Sequence, residues 1–177
     1  AYRAPVVVAA DGVSSRLATA VGRHKREDRV MGVAVRAYYH TPKRDDYLES
    51  HLELWTTDDA GERMLMPGYG WLFPLEDGRT NVGLGILDTS SAFGKTDYKD
   101  VMRRWVDSIS DTWHLELDTS AGPIRGAALP MGFNRTPVYA DGLFLVGDAA
   151  GMVNPFNGEG IDYALEAGRL SADVISQ

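Results

Sequence analysis

The stretch "FLVGDAAGMVNPFNGEGIDYA" (Phe144–Ala164) decides the fold class of this 177-residue chain. It continues a short apolar run that ends at a Gly-Asp pair, which predicts a buried strand with a carboxylate at its carboxyl end. A loop rich in glycine, asparagine and proline follows, and a helical pattern runs from Ile161 to Ile175. Because open α/β sheets bind ligands beyond the carboxyl ends of their strands, the stretch predicts a ligand site at Asp148.

The residue types around Asp148 suit a flavin. Gly147 removes a side chain where a ligand must approach the backbone, and the carboxylate can accept hydrogen bonds from sugar-like hydroxyls. Gly158, Glu159 and Gly160 lead into the helix, whose first amides carry partial positive charge and favour an anionic group. A Gly-Asp pair alone would also fit a turn or a helix cap. The whole arrangement favours the ligand site.

The rest of the chain predicts an antiparallel sheet between two pieces of an α/β domain. The predicted elements are a strand at 5–10 buried on both faces, a helix at 16–21 capped by Ser15, strands at 29–41 and 51–57 (with Leu52, Leu54 and Thr56 on one face), a hairpin of 71–75 and 79–87, and a helix capped at Thr96 or Asp97. The expected fold class is mixed α/β. Residues 1–28 and 138–177 would form a split FAD-binding domain around an antiparallel-sheet substrate domain at 29–137. Because the chain begins in a strand and ends in a helix, we expect an internal fragment of a longer protein.

Composition excludes several classes of function. The chain has 18 basic and 25 acidic residues, a net charge of -7 and no cysteine, which argues against a nucleic-acid surface and excludes thiolate chemistry. The four histidines lack ligand spacing, so no metal site is expected. No apolar run approaches the roughly 20 residues that span a bilayer. These features predict a cytoplasmic protein, with peripheral membrane association left open.

Three motifs resemble those of a known family. "GLFLVGDAAGMVNPFNGEGIDYALEAGRLSAD" (Gly142–Asp173) is similar to the second flavin-binding motif of FAD-dependent oxidoreductases with the p-hydroxybenzoate hydroxylase fold, and most of all to that of the geranylgeranyl reductase family. The resemblance implies that Asp148 binds the ribityl chain of FAD. It also implies that the flavin runs along Gly147, Pro155, Gly158, Glu159 and Gly160.

The second of these motifs is "ADGVSSRLA" (Ala10–Ala18), which resembles the Asp-Gly motif of the same superfamily. The resemblance assigns Asp11 and Gly12 to the neighbourhood of the FAD pyrophosphate. Ala18 stands where the family usually has an arginine. An ordinary turn capped by Ser15 explains the same residues without a cofactor.

A third motif points to the substrate. "YGWLFP" (Tyr69–Pro74) resembles the Tyr-x-Trp-x-Phe-Pro box that lines the lipid cavity of geranylgeranyl reductases. It implies a substrate wall of Tyr69, Trp71 and Phe73, to which the predicted sheet adds Trp55. The alternative is an aromatic cluster within the sheet. The flanking residues are similar to the actinobacterial branch that reduces the isoprenoid tail of menaquinone.

The resemblance implies an FAD-dependent enzyme that reduces isoprenoid double bonds of a polyprenyl lipid, with NAD(P)H or another reductant as electron donor. No catalytic residue or proton donor is assigned; Glu159 is expected near the flavin, and a role in stabilising the loop is the alternative for it. An FAD-dependent aromatic-ring monooxygenase and a non-catalytic lipid-binding domain are the alternatives. No Gly-x-Gly-x-x-Gly loop follows a strand in these residues, so we expect that loop upstream and an inactive fragment without it.

Overall fold

The computed structural model describes residues 3–57, 60–116 and 121–177. Two compact units are formed, the first from Ala1–Gly32 and Ala128–Gln177 and the second from Val33–Ala127. The assignment of one domain to FAD and the other to substrate remains a prediction. The elements are β1 (Val7–Ala9), α1 (Arg16–Ala20), β2 (Met31–His40), β3 (Glu49–His51), β4 (Leu54–Thr57), β5 (Arg63–Met66), β6 (Tyr69–Pro74), β7 (Arg79–Leu87), α2 (Tyr98–Trp113), β8 (Arg125–Pro130), β9 (Tyr139–Ala140), β10 (Leu143–Leu145), a 3-10 turn (Gly147–Ala149) and α3 (Ile161–Ile175).

The first unit contains a three-stranded sheet in the order β1-β10-β9. The β1–β10 pair is parallel and the β10–β9 pair antiparallel. The prediction that the first strand is buried on both faces is wrong, because Val7 and Val8 are each 40% exposed. Within the described residues β1 pairs with β10 alone, so it is an edge strand with one neighbour.

Both helices of the first unit begin where the sequence predicts. The Ser15 hydroxyl accepts a hydrogen bond from the Ala18 amide at 3.1 Å, which confirms Ser15 as the N-cap of α1. The bounds of α3 are also as predicted. Its apolar face is not buried by the described residues, since Ile161 is 75% and Leu165 69% exposed.

The second unit is built on a five-stranded sheet in the order β3-β6-β7-β2-β8. The β3–β6 and β6–β7 pairs are antiparallel, and β6 and β7 form the predicted hairpin around Gly78, which has a φ of 90°. The predicted strand at 51–57 is wrong. It is divided between β3, which pairs with β6, and β4, which pairs with β5. Leu52 lies at this change of partner and is 82% exposed.

The core of the second unit lies between the sheet and α2. Asp97 caps α2 by accepting from the Lys99 amide at 2.9 Å, as predicted. Trp105 is 1% exposed, which confirms that the aromatic stripe of α2 is a core face rather than a ligand wall. The buried residues on both sides of this core include Val35, Tyr39, Leu72, Val82, Leu84, Val101, Met102 and Trp105. No helix in the described ranges is long and apolar enough to cross a membrane.

Candidate functional site

Asp148 carries a half-buried carboxylate that no described residue binds. It lies in the 3-10 turn that follows β10, and its side chain makes no hydrogen bond or ion pair within the described residues. Burial raises the pKa of Asp148 above its ordinary value. A Cβ atom on Gly147 would lie 3.1 Å from the Ala164 Cβ, so glycine at this position lets α3 approach the turn closely. A carboxylate with a raised pKa at the carboxyl end of a strand is a candidate binding group.

The loop from Asp148 to α3 is held together by its own side chains. Asn154 accepts from the Phe156 amide at 2.8 Å and donates through Nδ2 to the Tyr163 hydroxyl at 3.0 Å. The Asn157 side chain accepts from the Glu159 amide at 3.0 Å. The predicted flavin contacts Pro155, Gly158 and Gly160 all lie in or beside this loop. It therefore presents a defined backbone surface next to Asp148.

Glu159 has a structural role that limits its chemistry. Its Oε1 accepts a hydrogen bond from the Asp162 amide at 3.0 Å, which satisfies one of the open amides in the first turn of α3. This is the loop-stabilising alternative to a role as a proton donor. Gly160, the N-cap residue, contributes no side-chain hydrogen bond.

Asp11 differs from Asp148 because each of its carboxylate oxygens has a local hydrogen-bond partner. One oxygen accepts from the Ser15 hydroxyl at 2.5 Å and the other from the Leu17 amide at 3.1 Å. The hydrogen bond from Ser15 lowers the pKa of Asp11. These bonds belong to the turn that Ser15 caps, which is the cofactor-free alternative that the sequence offered. The roles of Asp11 and Gly12 at the FAD pyrophosphate remain predictions.

Arg135 is a residue of this site that the sequence did not indicate. It is 2% exposed, and its Nη2 donates to the Val13 carbonyl at 3.1 Å. Its Nη1 lies 3.4 Å from the Ala149 carbonyl oxygen and 3.5 Å from that of Asp148. Burial lowers the pKa of Arg135, while the charge of Asp11 acts in the opposite direction. Its sequence neighbours, "NRTP" (Asn134–Pro137), are polar or turn-forming and give no signal of burial.

The predicted substrate residues form an aromatic row of Tyr69, Trp71 and Phe73 on one face of β6. Successive ring centroids are 5.9 Å and 6.2 Å apart. The rings lie over glycines of β7, because a Cβ on Gly83 would collide with Trp71 and one on Gly85 would lie 3.1 Å from the Tyr69 ring. All three aromatic residues are half-buried. Burial also raises the pKa of the Tyr69 hydroxyl.

The opposite face of β6 belongs to the core. Leu72, which alternates with the aromatic row, is 0% exposed. On the outer face the Trp71 indole nitrogen donates to Asn81 Oδ1 at 3.2 Å, so the ring has a fixed orientation. The row therefore presents an ordered apolar surface on the face that does not pack against α2.

Trp55 is not part of the aromatic row. It lies on β4, which pairs with β5 in a separate two-stranded sheet, and its indole nitrogen donates to Glu53 at 2.9 Å. The guanidinium of Arg63 lies 4.1 Å from the Trp55 ring centroid. Trp55 instead lines a cavity of about 350 Å³ beside Trp105. A larger cavity, of about 690 Å³, has none of the predicted site residues in its described lining.

Comparison with known proteins gives clear relatives. The chain is 42% identical over 170 residues to a menaquinone reductase from Mycobacterium tuberculosis. The alignment covers 96% of this chain and 40% of the relative. It is 31% identical over 183 residues to digeranylgeranylglycerophospholipid reductase 2 from Methanopyrus kandleri. This alignment covers 99% of the chain and 42% of the relative. The chain thus spans about two fifths of the length of the curated relatives it matches. No family model matches it.

Solved structures share the fold. A geranylgeranyl bacteriochlorophyll reductase-like protein from Thermoplasma acidophilum superposes with a TM-score of 0.66 at 24% identity, over 97% of this chain and 41% of that one. A flavin-dependent halogenase from Brevundimonas gives a TM-score of 0.60 at 17% identity, over 97% of this chain and 31% of that one. These likenesses confirm the mixed α/β fold class and a fold shared with flavin-dependent enzymes. As the motifs predicted, the chain is similar in sequence to a menaquinone reductase and to a digeranylgeranylglycerophospholipid reductase.

Proposed function

We propose that this chain is part of an FAD-dependent reductase of isoprenoid double bonds, with the side chain of menaquinone as its first candidate substrate. The observation that carries the proposal is the 42% identity to a menaquinone reductase along 96% of the chain. The similarity to a digeranylgeranylglycerophospholipid reductase supports the wider class, a polyprenyl lipid. Because such lipids reside in membranes, the proposal includes a peripheral contact with a membrane.

The residues around Asp148 fit an FAD. The half-buried carboxylate, which no residue in the described ranges binds, is a good acceptor for the ribityl hydroxyls, and hydrogen bonds from a ligand would offset the cost of burying it. The ordered loop at Pro155, Gly158 and Gly160 would lie along the flavin, and Asp11 and Gly12 would lie near the pyrophosphate. When bound and reduced by NAD(P)H or another donor, FAD supplies the hydride for the reaction.

The aromatic row would hold the isoprenoid chain. Tyr69, Trp71 and Phe73 offer large, rigid apolar surfaces that lose little conformational entropy on binding. The hydrogen bond from Trp71 to Asn81 fixes the central ring, so the row can orient the double bond and exclude water from it. The structure separates Trp55 from this surface, and the proposal gives it no role there. No proton donor is assigned.

The test uses the full-length protein, anaerobic and chemically reduced, with menaquinone that carries an unsaturated side chain. Mass spectrometry should show the gain of two hydrogen atoms for each double bond reduced, and a menaquinone with a saturated side chain serves as the control substrate. An intact side chain in the presence of reduced, protein-bound FAD would refute menaquinone as the substrate, and intact double bonds in an unsaturated geranylgeranyl lipid as well would refute the wider class. Oxygen insertion into an aromatic substrate in air would indicate the monooxygenase alternative, and lipid binding without FAD the non-catalytic one.

A further inference from the structure

We propose that Arg135 is a positioning residue that holds the Asp148 turn in the geometry required for flavin binding. This inference rests on the proposed function. Arg135 acts on the backbone of the turn and is not expected to contact the flavin. It restrains the turn of the second flavin-binding motif, although Arg135 itself lies outside that motif.

The contacts of Arg135 converge on the turn. Its guanidinium is directed at the carbonyl oxygens of Asp148 and Ala149, and its own backbone amide donates to the Ala150 carbonyl at 3.2 Å. Its other terminal nitrogen donates to Val13, two residues after Asp11. One residue therefore binds three successive carbonyls of the Asp148 turn and connects them to the loop of the Asp-Gly motif.

The burial of this cation is difficult to explain by stability alone. Arg135 is 2% exposed, its Nε is buried without a partner within the described residues, and no carboxylate accepts a hydrogen bond from it there. Burying a charge costs free energy unless it is paired and hydrogen-bonded, and replacing even a buried ion pair by apolar residues of similar size is often neutral for stability. An apolar residue could not span several carbonyl oxygens, whereas the rigid fork of the guanidinium can. The geometry of the turn is the property that requires arginine.

The direction of the Asp148 carboxylate depends on the backbone conformation of the turn. No side chain in the described residues binds its carboxylate, so the position of that carboxylate follows from the conformation of the turn. Gly147, with a φ of 56°, gives the turn a flexible residue on one side. Arg135 supplies the restraint on the other side.

The test is a double-mutant cycle in the full-length protein freed of flavin, with FAD affinity measured by fluorescence titration and stability by thermal melting. We expect Arg135→Met and Asp148→Ala each to weaken FAD binding tenfold or more. The double variant should be no more than about twofold weaker than Asp148→Ala, because coupled residues are not additive. The visible spectrum of bound flavin should change in Arg135→Met, since the cofactor would lie in a less constrained site.

The control variant is Asn134→Ala. Asn134 is 0% exposed and adjacent in sequence, but its side-chain amide donates to the Arg26 carbonyl and Met31 sulfur rather than to the turn. We expect it to lower the melting temperature while FAD affinity and the flavin spectrum stay as in the wild type. The comparison separates loss of stability from loss of positioning.

The outcomes distinguish the two proposals. A wild-type protein that binds no FAD would refute the proposed function, and this inference with it. Loss of FAD binding in Asp148→Ala but not in Arg135→Met would overturn the positioning role alone, as would additive losses in the double variant. Arg135→Lys, which keeps the charge but lacks the fork, replaces Arg135→Met if the latter does not fold, and the same loss is expected. Failure of both to fold would make Arg135 a core residue and overturn the inference.

Discussion

Replacing Trp71 by alanine would test whether the aromatic row binds substrate. Trp71 is half-buried between Tyr69 and Phe73, so part of its ring stays open to a ligand, and a lipid chain that covered about 50 Å² of it is the case considered. At about 25 cal/mol per Å² this area contributes about 1.3 kcal/mol to binding, so KM for the polyprenyl substrate should rise about tenfold. An unchanged kcat would show that the ring binds substrate and transition state equally. We expect a loss of about 2 kcal/mol in stability, below the range for a fully buried tryptophan.

The assay compares KM, kcat, bound FAD and melting temperature in the full-length protein. Trp105→Ala is the matched control, because Trp105 is 1% exposed in the core below the same sheet. Its truncation should cost about 3–5 kcal/mol of stability and reduce activity only through the loss of folded protein. A wild-type KM in Trp71→Ala would refute the reasoning. A fall in the activity of Trp71→Ala only in proportion to its folded fraction, as expected for Trp105→Ala, would also refute it.

Three further substitutions test particular contacts. Gly83→Ala should displace the Trp71 ring, with which its Cβ would collide, and so raise KM and lower the melting temperature; a wild-type KM would show that the ring position is unimportant. Asp148→Asn should raise the melting temperature of flavin-free protein at neutral pH, because burial raises the pKa of Asp148 and disfavours its charged form. This gain should shrink as the pH falls through that pKa, since the native carboxyl is then neutral, and a pH-independent gain would contradict the argument. Asp11→Ala should lower the free energy of unfolding by about 1 kcal/mol. Because the Ser15 hydrogen bond lowers the pKa of Asp11, melting curves should show that this loss becomes smaller as the pH falls through that pKa. A loss of stability that is the same at every pH would have another cause.

The parts of the fold that were predicted correctly are those with local causes. The β6–β7 hairpin follows from a three-residue turn between two apolar runs, and α3 from a helical period that begins after Gly160. The errors arose where the outcome depends on distant neighbours. Leu52 has the alternation of a strand residue, but the chain changes its pairing partner from β6 to β5 at that point. Burial of Val7 likewise depends on which strands lie beside it, which its own sequence does not encode.

The candidate site shows the same division between local and distant causes. The aromatic row could be predicted because alternate residues of one strand share a face, and its three rings do lie together. Trp55 was grouped with them because its strand was expected in the same antiparallel sheet, whereas the structure places it in another sheet. Arg135 could not be predicted, because the carbonyls that surround it come from Val13 and from Asp148 and Ala149, far from it along the chain. Burial of an arginine requires such convergence.

The two aspartates of the predicted flavin site, Asp11 and Asp148, differ in whether contacts within the described residues stabilise their charge. The Asp11 carboxylate accepts hydrogen bonds from Ser15 and Leu17, and these bonds favour its charged form. A role in the folded structure is therefore enough to explain an aspartate at this position. Asp148 has the opposite properties, because burial disfavours its charge and no described residue compensates for it. A protein gains no stability from such a group. A ligand that donates hydrogen bonds to the Asp148 carboxylate would supply the missing compensation, and the ribityl hydroxyls of FAD have that chemistry.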